Sequence, residues 1–190
     1  RSRCNASLLA SSKVKFIATA TIGTDHIDLP WCEKAGITIS SAAGCNARGV
    51  LQWVAAALRE ATTMLRAKPQ DLTLGVVGVG NVGSLVVEYA RRWGFKVLAC
   101  DPPRQEREGG DFCSFDKIAL LSDIITLHTP LDSTTKHLIN ESVIQSLMPH
   151  CIILNASRGG VVDNLAVSRS GHPYIFDVWE QEPNILPDVL

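Results

Sequence analysis

No apolar run in this sequence approaches the ~20 residues that carry a helix across a bilayer, and the opening residues hold no apolar signal-peptide core. Charge of either sign is not in excess: 18 Lys and Arg stand against 19 Asp and Glu, a formal net charge of −1. The basic residues are scattered along the chain. Neither nucleic acid nor an anionic membrane is therefore expected as a partner. The six cysteines (Cys4, Cys32, Cys45, Cys100, Cys113 and Cys151) include no Cys-x-x-Cys pair, and no histidine pair at metal-ligand spacing accompanies them. No metal is expected. Cys100 and Cys151 lie inside apolar runs, where a thiol acts as a small hydrophobe, and the reading is one of reduced thiols in a cytoplasmic protein. Low-complexity tracts and internal repeats are absent. The chain opens Arg1-Ser2-Arg3-Cys4 without an initiating methionine, so it is expected to be part of a longer polypeptide.

What remains is a globular pattern, with 46% hydrophobic and 19% charged residues and a mean hydropathy of +0.13. Residues 13–20 read as a buried strand, 29–35 as a short helix and 37–41 as a second strand. Val50, Leu51, Val54, Ala55, Leu58 and Ala61 recur at helical spacing and predict a long helix over 47–65, broken at Lys68-Pro69. From Leu72 onward, short apolar strands alternate with helices. Strands are expected at 74–79, 96–100, 124–127, 151–154 and 174–176, and helices at 82–93, 115–121 and 140–147. Continuous apolar strands separated by helices imply a parallel sheet covered on both faces. The fold class is α/β.

Gly78-Val79-Gly80-Asn81-Val82-Gly83 is a G-x-G-x-x-G directly after a predicted strand and at the start of a predicted helix. In that context the glycines build a dinucleotide turn: Gly78 for the bend, Gly80 for close approach of the pyrophosphate, Gly83 for helix–strand packing. The helix N-terminus adds free N–H groups and the positive end of its dipole. Asp101, 18 residues after Gly83, ends the next strand, where a carboxylate binds the adenosine ribose and repels a 2′-phosphate. NAD is the expected cofactor. Arg104 is a cation that could soften this preference, though Asp101 is expected to dominate. A glycine turn without a ligand, or an S-adenosylmethionine-dependent methyltransferase, are the competing readings of this stretch. Further polar groups follow later strands: His128-Thr129, Asn155-Ala156-Ser157-Arg158 and Asp177. In an open α/β sheet such loops share the crevice outside the carboxyl ends of the strands, although Thr129 or Asp177 alone could be a turn residue. Arg158 suits a substrate carboxylate, which guanidinium binds in bidentate fashion, and Gly159-Gly160 beside it would let a ligand come close.

Together, Gly78–Gly83, Asn155–Asp163 and the segment Asp177-Val-Trp-Glu-Gln-Glu182-Pro183 resemble the D-2-hydroxyacid dehydrogenase family. Residues 19–28, 44–47 and 100–104 are similar to the branch acting on a phosphorylated 2-hydroxy acid. The resemblance implies a Rossmann doubly wound sheet with part of a smaller flavodoxin-like substrate domain, dividing as 1–46 (substrate domain), 47–182 (NAD-binding domain, 47–66 a linking helix) and 183–190 (return to the substrate domain). It implies that Gly78, Gly80, Asn81, Val82 and Gly83 hold the pyrophosphate and Asp101 the ribose. Thr129, Ala156, Ser157, Arg158 and Asp177 would complete the cofactor site. Arg158 and Glu182 become catalytic: the first binds the substrate carboxylate, and the second raises the pKa of a catalytic histidine. Ser2 and Thr21 match substrate-binding positions, and a homodimer is implied.

That histidine follows Glu182 in the family, whereas His26, His128, His137, His150 and His172 all precede it. His26 and His128 are read as structural or cofactor-site residues, and the other three as ordinary loop histidines. The stretch from Asp163 to Asp177 is shorter than the family's, as is that between Ser2 and Thr19. Two alternatives stay open: a relative acting on 3-phosphoglycerate or on glyoxylate or hydroxypyruvate, and a non-catalytic NAD-sensing module of the corepressor kind.

Overall fold

Asp28 starts the first helical turn that the chain needs to return a strand alongside its predecessor. Its carboxylate accepts the Trp31 N–H at 3.1 Å and caps α2 (Leu29–Lys34). The computed structural model describes residues 2–20, 23–24 and 26–189. Within them, α2 joins β1 (Phe16–Thr19) to β2 (Thr38–Ser41), which pair in parallel with Phe16 opposite Thr38. A short helix, α1 (Ala6–Leu9), precedes them, and Cys4 bridges to Ile27. Leu9, Ile27, Cys32 and Ile37 form the small core of this unit.

The chain divides into two compact units, Arg1–Arg48 and Gly49–Leu190. The helix α3 (Ala47–Leu65) begins at the division and has the bounds its periodicity predicts. In the second unit, β3 (Thr73–Val77), β4 (Lys96–Cys100), β5 (Ile124–Leu127), β6 (Ile152–Asn155) and β7 (Tyr174–Phe176) form one parallel sheet in the order β4-β3-β5-β6-β7. Between them run α4 (Asn81–Arg92), α5 (Pro102–Glu108), α6 (Phe115–Leu121), α7 (Glu141–Ser146) and α8 (Asn164–Ser170).

The strand period of two sorts side chains between two cores. Leu74, Val76, Ile124, Ile152 and Leu154 pack with Val54, Leu58 and Ala61 of α3 and Val86 and Ala90 of α4. Val77, Ile125, Leu127 and Ile153 pack with Ile118 of α6, Ile144 of α7 and Val167 of α8. Helices on both faces bury the central strands β5 and β6 completely, which is the doubly wound α/β architecture that the unbroken apolar strand runs imply.

Three helices beyond those predicted are present: α1, α5 and α8. The last two carry start signals in plain view. Asp101 and Asp163 cap them, accepting from the Arg104 and Ala166 N–H groups at 2.9 Å each, and prolines occupy the first turn of α5.

Candidate functional site

All five strands of the second sheet run parallel, so their carboxyl ends share one edge, and β3 is the strand from which the order reverses. Gly78 leaves β3 with φ +84 and is buried. A Cβ there would stand 2.8 Å from the His128 carbonyl at the end of β5. Gly83, one turn into α4, is packed so closely that a Cβ would fall on the Gly78 carbonyl oxygen. Gly80 differs from both. It is exposed, and a Cβ on it would meet nothing within 4 Å. As the N-cap of α4 it supplies no side-chain acceptor. The first N–H groups of α4 are thus left without a capping side chain, the condition under which a helix N-terminus receives an anion.

Asp101 stands at the end of β4, beside this turn. One carboxylate oxygen accepts the Val79 N–H at 2.7 Å and the other the Arg104 N–H at 2.9 Å. Each oxygen keeps a lone pair for a further donor. The Arg104 guanidinium does not bond this carboxylate. Its Nη1 donates to the Val79 carbonyl at 2.6 Å and the Ser84 hydroxyl at 2.8 Å, and its Nε to Glu108 at 2.8 Å. Sequence reading placed Arg104 near the ribose; the structure commits it to the glycine turn.

After β5, the Thr129 Oγ1 is buried with no hydrogen-bond partner among the described residues. His128 bonds Thr126 Oγ1 through Nε2 at 3.0 Å, and burial pushes its pKa down to about 4. After β6, the fully buried Asn155 shapes the loop: its Oδ1 accepts from the Ser157 N–H and Oγ, and its Nδ2 donates to the Arg158 carbonyl. Ala156, Ser157 and Arg158 are consequently held at the edge, partly buried, with Arg158 Nη1 donating to the Ser157 carbonyl at 2.8 Å. Asp177 follows β7 with its side chain exposed and its N–H on the Asn155 carbonyl at 2.9 Å.

The glycines after Arg158 serve a different neighbour from the one expected. A Cβ on Gly159 would land on the carbonyl of Trp179, and one on Gly160 would stand 3.1 Å from the Leu131 side chain. Close approach is used by the chain itself, which crosses here on its way from β7. Glu180 secures the crossing: its Oε1 meets His137 Nε2 at 2.7 Å, and its N–H donates to Asn164 Oδ1 at 2.9 Å. His137 is therefore a tether and no ordinary loop residue. The exposed Glu182 accepts the Trp179 N–H, and no histidine among the described residues bonds to it. Ser84, Asn155, Asn164 and Glu180 were not singled out individually from the sequence. Only Asn155, a polar residue closing an apolar strand, carried a visible signal.

Ser2 lies in the first unit and is exposed. Thr21 falls outside the described residues. A cavity of about 500 Å³ opens between α7 and α8, lined by Ile144, Leu147, Asp163, Arg169 and His172. Its charges are of mixed sign.

An uncapped helix N-terminus, a turn closed to side chains at Gly78 and Gly83 but open at Gly80, and the orphaned Thr129 hydroxyl fit a dinucleotide lying across the edge. Residues 46–188 match the family described as D-isomer specific 2-hydroxyacid dehydrogenase, NAD binding domain. The chain belongs to that family. NAD is the cofactor of this domain. The chain is 46% identical, over 184 residues, to the erythronate-4-phosphate dehydrogenase of Ectopseudomonas mendocina (strain ymp), covering 94% of itself and 49% of that protein. Among solved structures it resembles the NAD+-bound 3-phosphoglycerate dehydrogenase of Entamoeba histolytica (TM-score 0.83, 26% identity, 96% and 63% of the two chains). It also resembles the D-lactate dehydrogenase of Aquifex aeolicus complexed with NAD and lactic acid (TM-score 0.81, 29% identity, 94% and 62%). The chain spans about half the length of the curated relatives it matches.

Proposed function

We propose that this chain is the NAD-binding part of a dehydrogenase that oxidises 4-phospho-D-erythronate to its 2-oxo acid, a step toward pyridoxal phosphate (vitamin B6). The observation that carries the reading is the gathering of Gly80, Asp101, Thr129 and Arg158 on one carboxyl edge of the sheet. The substrate assignment is supported by the name of the relatives that are 43–46% identical to the chain.

NAD, when bound, supplies the electron acceptor for the oxidation at C2. The protein's part is positioning and proton transfer. The N–H groups of Gly80, Asn81 and Val82 receive the pyrophosphate, and Gly78 and Gly83 give the turn its shape. Asp101 accepts from the ribose hydroxyls, and Thr129, Ala156, Ser157 and Asp177 border the rest of the cofactor. Arg158 holds the substrate carboxylate as a fixed guanidinium fork. Glu182 pairs with a histidine from beyond this chain and raises its pKa, so that it takes the hydroxyl proton. Ser2 and Thr21 contact substrate. Domain limits at 1–46, 47–182 and 183–190, a homodimer and a cytoplasmic location belong to the same proposal. Among the described residues no helix is long and apolar enough to cross a membrane.

The test follows NADH consumption by the full-length polypeptide, offering the 2-oxo acid of 4-phosphoerythronate beside 3-phosphohydroxypyruvate and glyoxylate. A preference for the first is the expected result. Preference for another keto acid would keep the mechanism and replace the substrate. Binding of NADH without turnover of any would instead mark a sensing module.

A further inference from the structure

The two peptide units that meet at Val79 are both held. Its N–H is fixed by Asp101 Oδ2 at 2.7 Å, and its carbonyl receives Arg104 Nη1 at 2.6 Å and the Ser84 hydroxyl at 2.9 Å. Arg104 Nη1 also donates to Ser84 Oγ at 2.8 Å, which closes a triangle of three bonds around one carbonyl oxygen. Val79 is 5% exposed, so this carbonyl is bound in a sheltered site where a charge-assisted bond is at its strongest.

We propose that Arg104 is a positioning residue for the dinucleotide turn, holding the Val79 carbonyl inward so that the Gly80 N–H faces the pyrophosphate. The proposal rests on the reading of Gly78–Gly83 as the pyrophosphate turn. The Val79–Gly80 peptide is trans, so its C=O and N–H point in opposite directions. Fixing the carbonyl toward Arg104 and Ser84 turns the following N–H outward, at the uncapped start of α4. Were this peptide to flip, a carbonyl oxygen would face the phosphates and repel them. An arginine just after the ribose-binding acid is ordinarily a candidate for a 2′-phosphate. Here its Nη1 is spent on the turn and its Nε on Glu108, while Asp101 receives only its backbone N–H. Arg104 thereby supports binding of either dinucleotide through the turn that both share.

The experiment titrates NADH, NADPH and adenosine into the chain and its variants, with adenosine measured as a competitor of NADH. Arg104→Met keeps the aliphatic stem and removes the donors. It is expected to weaken NADH and NADPH by the same factor, on the order of tenfold, while adenosine, which ends before the phosphates, keeps its affinity. Arg104→Lys should restore part of the loss, since an ammonium reaches one acceptor but not the fork geometry. Arg107→Gln removes the same charge from the same helix without touching the turn and should bind NADH as the parent does. Selective loss of NADPH would overturn the proposal, as would unchanged NADH binding or parallel loss of adenosine. If Arg104→Met does not fold, Ser84→Ala decides: a loss of about threefold in both dinucleotides supports the proposal, and no loss overturns it. A parent chain that binds no NADH would overturn the reading of the turn itself, and the proposal with it.

Discussion

The Asp101 carboxylate accepts the Val79 N–H at 2.7 Å, so the residue that closes β4 also fixes the turn that leaves β3. The same carboxylate caps α5 through the Arg104 N–H. Asp101→Ala removes both acceptors. Loss of a cap and an unpaired amide in a nearly buried turn should together lower unfolding stability by roughly 2–4 kcal/mol. NADH should bind at least tenfold more weakly, and the discrimination against NADPH should relax as the repelling charge disappears. Urea denaturation reads the first effect and fluorescence titration the second. An alanine variant of parental stability and unchanged selectivity would count against both assigned roles.

The three glycines of the turn should respond differently to the same methyl group. In Gly83→Ala the Cβ collides with the Gly78 carbonyl, which is backbone and cannot rotate aside. Overpacking of this kind costs about 1–3 kcal/mol, and NADH binding should fall with the fold. Gly78→Ala adds a positive φ of 84° to a clash with the His128 carbonyl, and should be worse. Gly80→Ala meets no protein atom within 4 Å, and its φ is −78. Its melting temperature should stay within about two degrees of the parent's, while NADH affinity drops, because the new methyl stands where the phosphates approach. Equal loss of affinity and stability at Gly80 would show that the open face is not the ligand's.

Much of this was legible in residue order because the decisive features are local. The bounds of α3, α6, β4, β5 and β7 follow from apolar spacing alone, and the glycine turn is a contiguous motif. What the sequence hides are contacts over long separations. Nothing near Glu180 shows that it will meet His137, 43 residues earlier, or that Gly159 must lie bare because Trp179 crosses it. The helix α5 was missed for another reason: its seven residues are too few for an apolar period, and only Asp101-Pro102-Pro103 announces it. Arg104 could be placed beside the ribose-binding acid in sequence, but which acceptors a guanidinium chooses depends on how Val79 and Ser84 are folded around it.

His128 makes stability depend on pH in a stated direction. Burial lowers its pKa from an ordinary 6.5 to about 4, so the native ring stays neutral while the unfolded chain takes up a proton. Stability contributed by the neutral ring is present above about pH 6.5 and is lost progressively as pH falls toward 4. The loss amounts to about 3.5 kcal/mol at most, from ~1.4 kcal/mol per unit of pKa difference. The measurement is the difference in unfolding free energy between the parent and His128→Gln at pH 7.5, 6 and 4.5. The glutamine variant should have the flatter dependence. Parallel curves would show that His128 titrates normally in the native state.

Arg158 and Glu182 should fail in different ways when changed in the full-length polypeptide. The Arg158 backbone is held by Asn155, and its guanidinium is kept at the loop by the Ser157 carbonyl. Arg158→Lys leaves that loop intact and removes only the planar fork, so NADH binding should stay within about twofold, while kcat/KM falls about 10²-fold or more, chiefly through KM. Glu182→Gln should leave KM nearly unchanged. With its negative charge gone, the histidine it supports becomes a weaker base, so the acidic limb of the oxidation profile moves to lower pH and kcat falls. A profile unmoved by Glu182→Gln, or a pure KM effect there, would separate Glu182 from proton transfer. It would then be left with the role visible in this chain, closing the Trp179 turn through its N–H.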